Sequence, residues 1–160
     1  MLPLIIAPNK ILRTPTKELA LPLDAKILKL IPEMFAAIEY YKGIGLAAPQ
    51  INASFRLMVM ATTSGPKAFI NPKVVKASSK LEDMEEGCLS LPGLFGVVRR
   101  PYSVAVEYIS PGGKKITANL KGMTARVFQH ETDHLDGVLI TDKITEYTNG
   151  HELFAKYQGA

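Results

Sequence analysis

The segment His130-Glu131-Thr132-Asp133-His134 constrains the fold of this chain more than any other stretch. An α-helix turns once every ~3.6 residues, so two histidines four positions apart lie on one face of a helix. Both imidazoles can then reach one metal ion, and the glutamate between them can act on a water molecule at that ion. The alternative is a pair of surface histidines on a solvated helix, but two of the three histidines in the chain fall in this motif. The motif therefore predicts a helix that carries a metal site.

Length and composition set the class of protein. A chain of 160 residues predicts one domain that spans residues 1–160. The net charge of +4 is mild and the basic residues are spread along the chain, so solvated faces are a better interpretation than a nucleic-acid surface, and we expect no DNA partner. No apolar run approaches the ~20 residues of a membrane span, and the single cysteine gives no sign of a secreted disulfide scaffold. We expect a cytoplasmic monomer, although a transit peptide already removed would leave no trace.

The first predicted helix contains a proline. Asp24 is a suitable N-cap for a helix that runs to about Tyr41 with a broad apolar face. Pro32 interrupts this pattern, and an interior proline costs ~3 kcal/mol or kinks a helix. We therefore expect either a bend at Pro32 or a helix that starts near Ile31 with Pro32 in its first turn.

The second predicted helix contains the histidine motif. It covers Met123–Asp136, and Gly137 is placed to end it. Its apolar residues indicate a helix packed among sheets. A short helix near Glu152–Tyr157 is expected in the tail.

Several short strands precede the second helix. Apolar alternation over Tyr102–Ile109, a turn, and renewed alternation at residues 116–120 predict a β-hairpin. Three further strands are expected at 56–61, 68–71 and 74–77. Because the strands are grouped and the helices lie towards the ends, the order favours an α+β fold over a doubly wound sheet.

Two imidazoles leave a catalytic metal site one ligand short, since such sites use three protein ligands and one open position. The candidates for the third ligand are Cys88, Glu146, His151 and Glu152. The protease class with a third histidine six residues after the second is excluded, because Ile140 occupies that position. Glu152 would correspond to the third ligand of a metalloprotease class that uses a downstream glutamate, but the helix predicted around it is short.

Cys88 is the strongest of these candidates because of the segment around it, Glu86-Gly87-Cys88-Leu89-Ser90. A lone cysteine is most often an inert, buried, small apolar residue. Here a thiolate beside glycine in a polar segment would bind a metal tightly. A cysteine nucleophile with a histidine base is a further alternative, but it would leave the paired-histidine helix unexplained.

The tract Gly43-Ile44-Gly45-Leu46-Ala47-Ala48-Pro49-Gln50 is a third unusual segment. Its two glycines allow close backbone approach, as when a peptide adds to a sheet as an extra strand. Gln50 ends the tract with an amide that can donate to an oxyanion. A glycine-rich turn or an edge strand would explain the tract equally well on its own.

Together the three tracts resemble one family, peptide deformylase. The segments Gly43–Gln50, Glu86–Ser90 and Gln129–Gly137 occur in the order and with the spacing of that family's motifs. The resemblance implies an α+β fold in which antiparallel sheets pack around a central helix that carries the His-Glu-x-x-His motif. It also implies removal of the formyl group from N-terminal formyl-methionine of nascent chains, with release of formate.

The resemblance also implies roles for individual residues. The metal ligands would be Cys88, His130 and His134. Glu131 would move the proton, and the Leu89 N–H and the Gln50 side chain would stabilise the oxyanion. Substrate contacts would come from Gly43, Ile44, Gly45, Met84 and Val127, with the methionine side chain in an apolar pocket.

The cofactor implied is one divalent metal ion, Fe(II) in the family, although thiolate and imidazole ligands also suit zinc, nickel and cobalt. The partners implied are formyl-methionyl peptides and nascent chains, with transient ribosome contact. Phe95 stands where some members have an arginine that contacts the substrate, and Pro32 lies where many members have none. An endoprotease with the same histidine motif and a non-catalytic binder of nascent chains are the competing hypotheses.

Overall fold

The fold is described from a computed structural model, which covers residues 1–159. The described part of the chain contains three α-helices and eight β-strands. The helices are α1 (Ala25–Tyr41), α2 (Gly122–Leu135) and α3 (Phe154–Tyr157). The strands are β1 (Gly45–Ala47), β2 (Leu57–Thr62), β3 (Gly65–Ala77), β4 (Leu81–Gly87), β5 (Phe95–Pro101), β6 (Ser103–Ile109), β7 (Lys115–Lys121) and β8 (Ile144–Asn149).

Helix α1 begins where its cap predicts. The Asp24 side chain accepts a hydrogen bond of 2.7 Å from the Lys26 N–H. The helix runs through Pro32, so the alternative start near Ile31 is wrong. Pro32 is exposed, as is Leu28 one turn earlier, and water can therefore satisfy the carbonyl that loses its partner. The opposite face anchors the helix through buried apolar residues, which are Ile27, Ile31, Met34, Ala37 and Ile38.

Five strands form an antiparallel sheet in the order β1-β2-β3-β6-β7. Helix α1 packs on one face over β1 and β2, and α2 packs on the other face. The two strands expected at 68–71 and 74–77 are one strand. Register shifts between Ile70 and Lys73 and between Val74 and Lys76 allow pairing with β6 to continue through this stretch.

Three strands form a second antiparallel sheet in the order β4-β5-β8, and none of the three was predicted. The β4 sequence LEDMEEG is acidic, and β5 contains glycine, proline and two arginines, so apolar alternation does not reveal them. Cross-strand ion pairs accompany this pairing: Arg99 Nε lies 2.7 Å from Asp83 Oδ1, and Arg100 Nε lies 2.6 Å from Glu86 Oε2.

Helix α2 lies among the sheets and ends at Leu135, as expected for Met123–Asp136. Gly137 follows with φ +76°, and a Cβ there would lie 2.6 Å from the Arg13 carbonyl oxygen, so only glycine fits. A single 3₁₀ turn at His151–Leu153 and α3 form the helical segment expected in the tail. The α+β prediction, with antiparallel sheets around the histidine helix, is confirmed. Across residues 1–159, the helices are all too short or too polar to cross a membrane.

Candidate active site

Two elements bring Cys88, His130 and His134 together. Cys88 follows β4 directly, and the histidines project from one face of α2. Their ligand atoms all lie within 4.8 Å of one another, and Cys88 Sγ is 3.3 Å from His134 Nε2. Sulfur and nitrogen ligands of one tetrahedral ion lie roughly 3.5 Å apart, given metal–ligand bonds of about 2.3 and 2.0 Å. The group therefore fits a metal ion, as the motif predicts.

The other candidate ligands lie elsewhere. Glu146, His151 and Glu152 are all exposed, and the His151 ring stacks on Tyr147 with 4.4 Å between ring centroids. Of the four third-ligand candidates considered from sequence, the structure places only Cys88 beside the paired histidines.

Glu86 fixes the orientation of His130. Its Oε1 lies 2.8 Å from His130 Nδ1. If Nδ1 carries the proton and donates it to this bond, the Nε2 lone pair is left facing the group. Burial raises the pKa of Glu86, but hydrogen bonds with His130 and Arg100 outweigh it and hold that pKa far below its ordinary value. Glu86 is therefore an anion that orients an imidazole.

The pKa values of the two histidines are shifted in opposite directions. Burial, reinforced by the charge of His130, holds the pKa of the His134 imidazole well below its usual range. The His130 pKa is lowered by burial but raised further by hydrogen bonds to Cys88 and Glu86, so it ends well above its usual value. A neutral His134 offers Nε2 as a ligand without first losing a proton.

Two buried arginines hold Glu86. Arg100 donates from Nε to Glu86 Oε2 at 2.6 Å and from Nη2 to Oε1 at 3.0 Å, and Arg126 Nη1 donates to Oε2 at 2.5 Å. Arg100 Nη1 also donates to Asp133 at 2.8 Å, and Lys143 Nζ lies 3.1 Å from the same carboxylate. This network of charged side chains extends from Lys143 at the surface to Glu86, which contacts His130.

Sequence reasoning missed most of this network. From the sequence, Glu86 belongs only to the segment around Cys88, and Arg100 has no assigned role. The usable signal was spacing, since Glu86 stands two residues before Cys88 at the end of a strand. Asp133, given no catalytic role from sequence, accepts from Arg100, while Asp136 pairs with Arg56 at 2.6 Å near the surface.

Glu131 lies against a glycine in the edge strand β1. A Cβ on Gly45 would lie 2.6 Å from Glu131 Oε1 and 2.8 Å from its Cγ, so a side chain at 45 would displace the carboxylate. Burial raises the pKa of Glu131 to about 7. Within residues 1–159, Glu131 Oε2 is buried without a hydrogen-bond partner. The Glu131 carboxyl is thus held in place, and its pKa lies near neutral pH. Its Oε2 atom is available to bond a further group.

The amide of Gln50 has a fixed direction. Its Oε1 accepts a 2.9 Å hydrogen bond from the Ala47 N–H, so its NH₂ group must face the other way. Nε2 donates to Ser90 Oγ at 3.1 Å and lies 3.7 Å from Cys88 Sγ. The amide therefore presents donor hydrogens beside the cysteine.

A cleft of about 620 Å³ opens onto this group. Its walls are mainly apolar, and they include all the predicted substrate-binding residues and Leu89: Gly43, Ile44, Gly45, Met84, Leu89 and Val127. A Cβ on Gly43 would lie 2.9 Å from Leu89 Cδ1, so the Leu89 side chain packs directly against Gly43. The Phe95 ring forms part of the rim and packs where a Gly87 side chain would be.

The α+β fold and its cleft define a class, a hydrolase whose Cys-His-His group could hold a metal ion beside a buried carboxylate. The family model for polypeptide deformylase matches residues 1–149. The chain belongs to the polypeptide deformylase family and is an enzyme of that kind.

The relatives that are similar in sequence and those that are similar in structure are peptide deformylases. The peptide deformylase of Thermotoga neapolitana is 46% identical over 121 residues, which are 76% of this chain and 74% of that protein. The crystal structure of peptide deformylase from Thermotoga maritima matches with a TM-score of 0.88 and 39% identity, covering 91% of this chain and 98% of that one. A peptide deformylase from Synechococcus elongatus, solved in complex with actinonin, matches with a TM-score of 0.87 and 34% identity over 99% of this chain and 84% of that one.

Proposed function

We propose that this deformylase hydrolyses the formyl group from the N-terminus of formyl-methionyl polypeptides and releases formate. One observation carries the proposal: a single apolar cleft is lined by the Cys88–His130 pair, the Glu131 carboxyl and the Gln50 amide. A ligand group, a proton carrier and an oriented donor around one point are the requirements of amide hydrolysis.

Cys88, His130 and His134 would hold one divalent metal ion. When bound, the ion supplies a Lewis acid that polarises the formyl carbonyl and lowers the pKa of the attacking water. Soft thiolate with two imidazoles suits Fe(II), the metal that the family resemblance implies, and equally zinc, nickel or cobalt. Glu86 supports the site by holding the His130 ring in the orientation that directs Nε2 inward.

Glu131 moves the proton. Its buried carboxylate takes a proton from the attacking water as the C–O bond forms, and it returns that proton to the amine nitrogen as the C–N bond breaks. The position suits both steps, because Gly45 leaves room for the carboxyl at the cleft. Two oxygen atoms are available, and Oε2 has no hydrogen bond to any described residue.

Two donors face the carbonyl oxygen. The Gln50 amide, held by Ala47, and the backbone N–H of Leu89, next to Cys88, would donate to that oxygen as it becomes negative. The Gln50 amide is held in place by hydrogen bonds to Ala47 and Ser90.

The cleft walls select the substrate. Gly43, Ile44 and Gly45 lie beside or in the edge strand β1 and would pair with the peptide backbone, while Met84 and Val127 would line the pocket for the methionine side chain. The attacked carbon would have to approach closely between Leu89 and Gln50, which favours formyl over acetyl, since a hydrogen on that carbon is smaller than a methyl.

The remaining parts of the proposal concern the whole chain. Residues 1–160 would form a single catalytic domain that acts as a cytoplasmic monomer on nascent chains, with transient ribosome contact. The match of the family model to residues 1–149 supports the single domain.

The test is an assay of anaerobically purified protein on formyl-Met-Ala peptides, with formate and bound metal quantified together. Acetyl-Met-Ala peptides and an unfolded protein serve as matched substrates. We expect formate release from the formyl peptide, little acetyl cleavage and no internal cleavage. Endoproteolysis at comparable efficiency, or formate release that is insensitive to metal removal, would contradict the proposal.

A further inference from the structure

One face of the five-stranded sheet carries lysines that the active site does not use. In β6, the residues Ser103, Ala105, Glu107 and Ile109 alternate with buried valines and so share one face. Their direct cross-strand partners include four lysines: Lys73 pairs with Glu107, Lys76 with Ala105, Lys115 with Ile109 and Lys121 with Ser103. Paired residues of antiparallel strands point to the same side. We name Lys73, Lys76, Lys115 and Lys121 the lysine face.

The lysine face is open to solvent. Val104 and Val106 point to the other side, beneath α2, while α1 covers β1 and β2. All four lysines are exposed, as are Thr117 and Asn119 between them. Among the described residues that the β3-β6-β7 register places there, Glu107 is the one acid, and its Oε2 lies 3.8 Å from Lys115 Nζ.

The register gathers charges that are scattered in sequence. Lys115 and Lys121 are six residues apart on β7, which spans about 20 Å, and β3 and β7 are separated by two strand spacings, or about 10 Å. The four lysines therefore lie on one face within about 20 Å of strand length, with Lys73 and Lys76 closer together than Lys115 and Lys121. This arrangement could not be seen along the chain, where the basic residues are evenly spread.

We propose that the lysine face binds the phosphate backbone of structured RNA. Phosphate contacts use lysine together with hydroxyl and amide donors, which Ser103, Thr117 and Asn119 provide between the lysines. A membrane-binding face would insert large apolar side chains, and a protein interface would have an apolar centre. Apart from Ala105, the apolar residues at the paired positions are Ile109 and its partner Ile70 at the α1 border, and Val75 is exposed beside Lys76 in the β3 irregularity. The choice of RNA over DNA rests on the proposed function, because the substrate emerges from the ribosome.

Binding of a labelled RNA hairpin, followed by fluorescence anisotropy between 50 and 200 mM salt, tests the proposal. Neutralising about four phosphates gives a slope near −0.9 per contact, so affinity should fall about 10²-fold over that range. Replacing the four lysines of the face by glutamine should weaken binding at least tenfold at the low salt and flatten the slope. The matched control replaces four other exposed lysines by glutamine, namely Lys10, Lys26, Lys29 and Lys156, and should bind nearly as the wild type does.

Further arms distinguish other roles. The pairs Lys73→Gln/Lys76→Gln and Lys115→Gln/Lys121→Gln should each remove about half of the salt slope, which keeps the test usable if the fourfold variant is unstable. A DNA duplex of the same sequence and phosphatidylserine vesicles should bind more weakly than the RNA.

Several outcomes overturn the inference. These are equal loss in both fourfold variants, no RNA binding by the wild type, or preference for DNA or vesicles. Aggregation of the Lys115→Gln/Lys121→Gln variant with unchanged RNA affinity would assign these lysines to protection of the β7 edge instead. Hydrolysis of a formyl peptide by all variants should equal that of the wild type, so failure here is separable from failure of the proposed function.

Discussion

Gly45→Ala tests the position of Glu131 without altering any catalytic group. The new Cβ would lie 2.6 Å from Glu131 Oε1 and 2.8 Å from Cγ, whereas ordinary contacts are 3.4 Å or longer, so the carboxyl must retreat by about 0.8 Å. A misplacement of about 1 Å costs roughly 10²-fold in rate, and the extra methyl costs about 1–3 kcal/mol of stability. We expect kcat to fall by about 10–10² while the content of bound metal stays unchanged, because the three proposed ligands do not move.

The assay is steady-state hydrolysis of formyl-Met-Ala, with metal analysis and a thermal melt of each protein. Gly112→Ala is the control, since its Cβ would meet nothing closer than Ser110 Oγ at 3.9 Å. The control should keep wild-type kcat. A Gly45→Ala enzyme with kcat within twofold of the wild type would refute the argument that residue 45 must be glycine to leave room for Glu131. Loss of bound metal would show that the position of Glu131 and the metal ligands are coupled.

Three further predictions concern the site. Cys88→Ala should lose stoichiometric metal and nearly all turnover, since two imidazoles alone make a weak site; retention of both by elemental analysis and assay would contradict the ligand assignment. Glu131→Ala should keep its metal but lose ~10²–10⁴ in kcat, and metal loss would instead identify Glu131 as a ligand. Glu86→Gln should weaken metal affinity by about 10–10²-fold in chelator competition, because His130 loses its charged partner. Wild-type affinity in that variant would remove Glu86 from the site.

The helix and its histidines were predictable because both depend on local sequence. The spacing of His130 and His134, the Gly137 stop and the Asp24 cap are each expressed within one or two turns. Cys88 could be ranked first among the third-ligand candidates from its flanking segment, and the family resemblance then implied the same role. Its meeting with His134 at 3.3 Å depends on how a sheet packs against a helix.

The second sheet was not predictable from periodicity. Its strands pair through charged residues, and Arg100 is buried because Glu86 and Asp133 neutralise it. A pattern method expects buried positions to be apolar, so it reads β4 as a solvated segment. Gly45 shows the same limit in another form. Sequence reasoning assigned it to the substrate backbone, and the structure adds a further reason for its lack of a side chain, the close approach of Glu131.

The charge network around Glu86 contributes differently to the stability of the fold and to catalysis. Removing one partner of a buried ion pair costs about 3–5 kcal/mol, whereas replacing a whole buried network by well-packed apolar residues is often neutral or stabilising. The fold alone would therefore tolerate joint replacement of Glu86, Arg100 and Arg126, yet His130 would lose the carboxylate that sets its proton position. Selection for stability does not preserve such a network, and selection for the chemistry does. In descendants of this chain, changes at these three positions should be absent or should occur together, and those that occur together should accompany loss of catalysis.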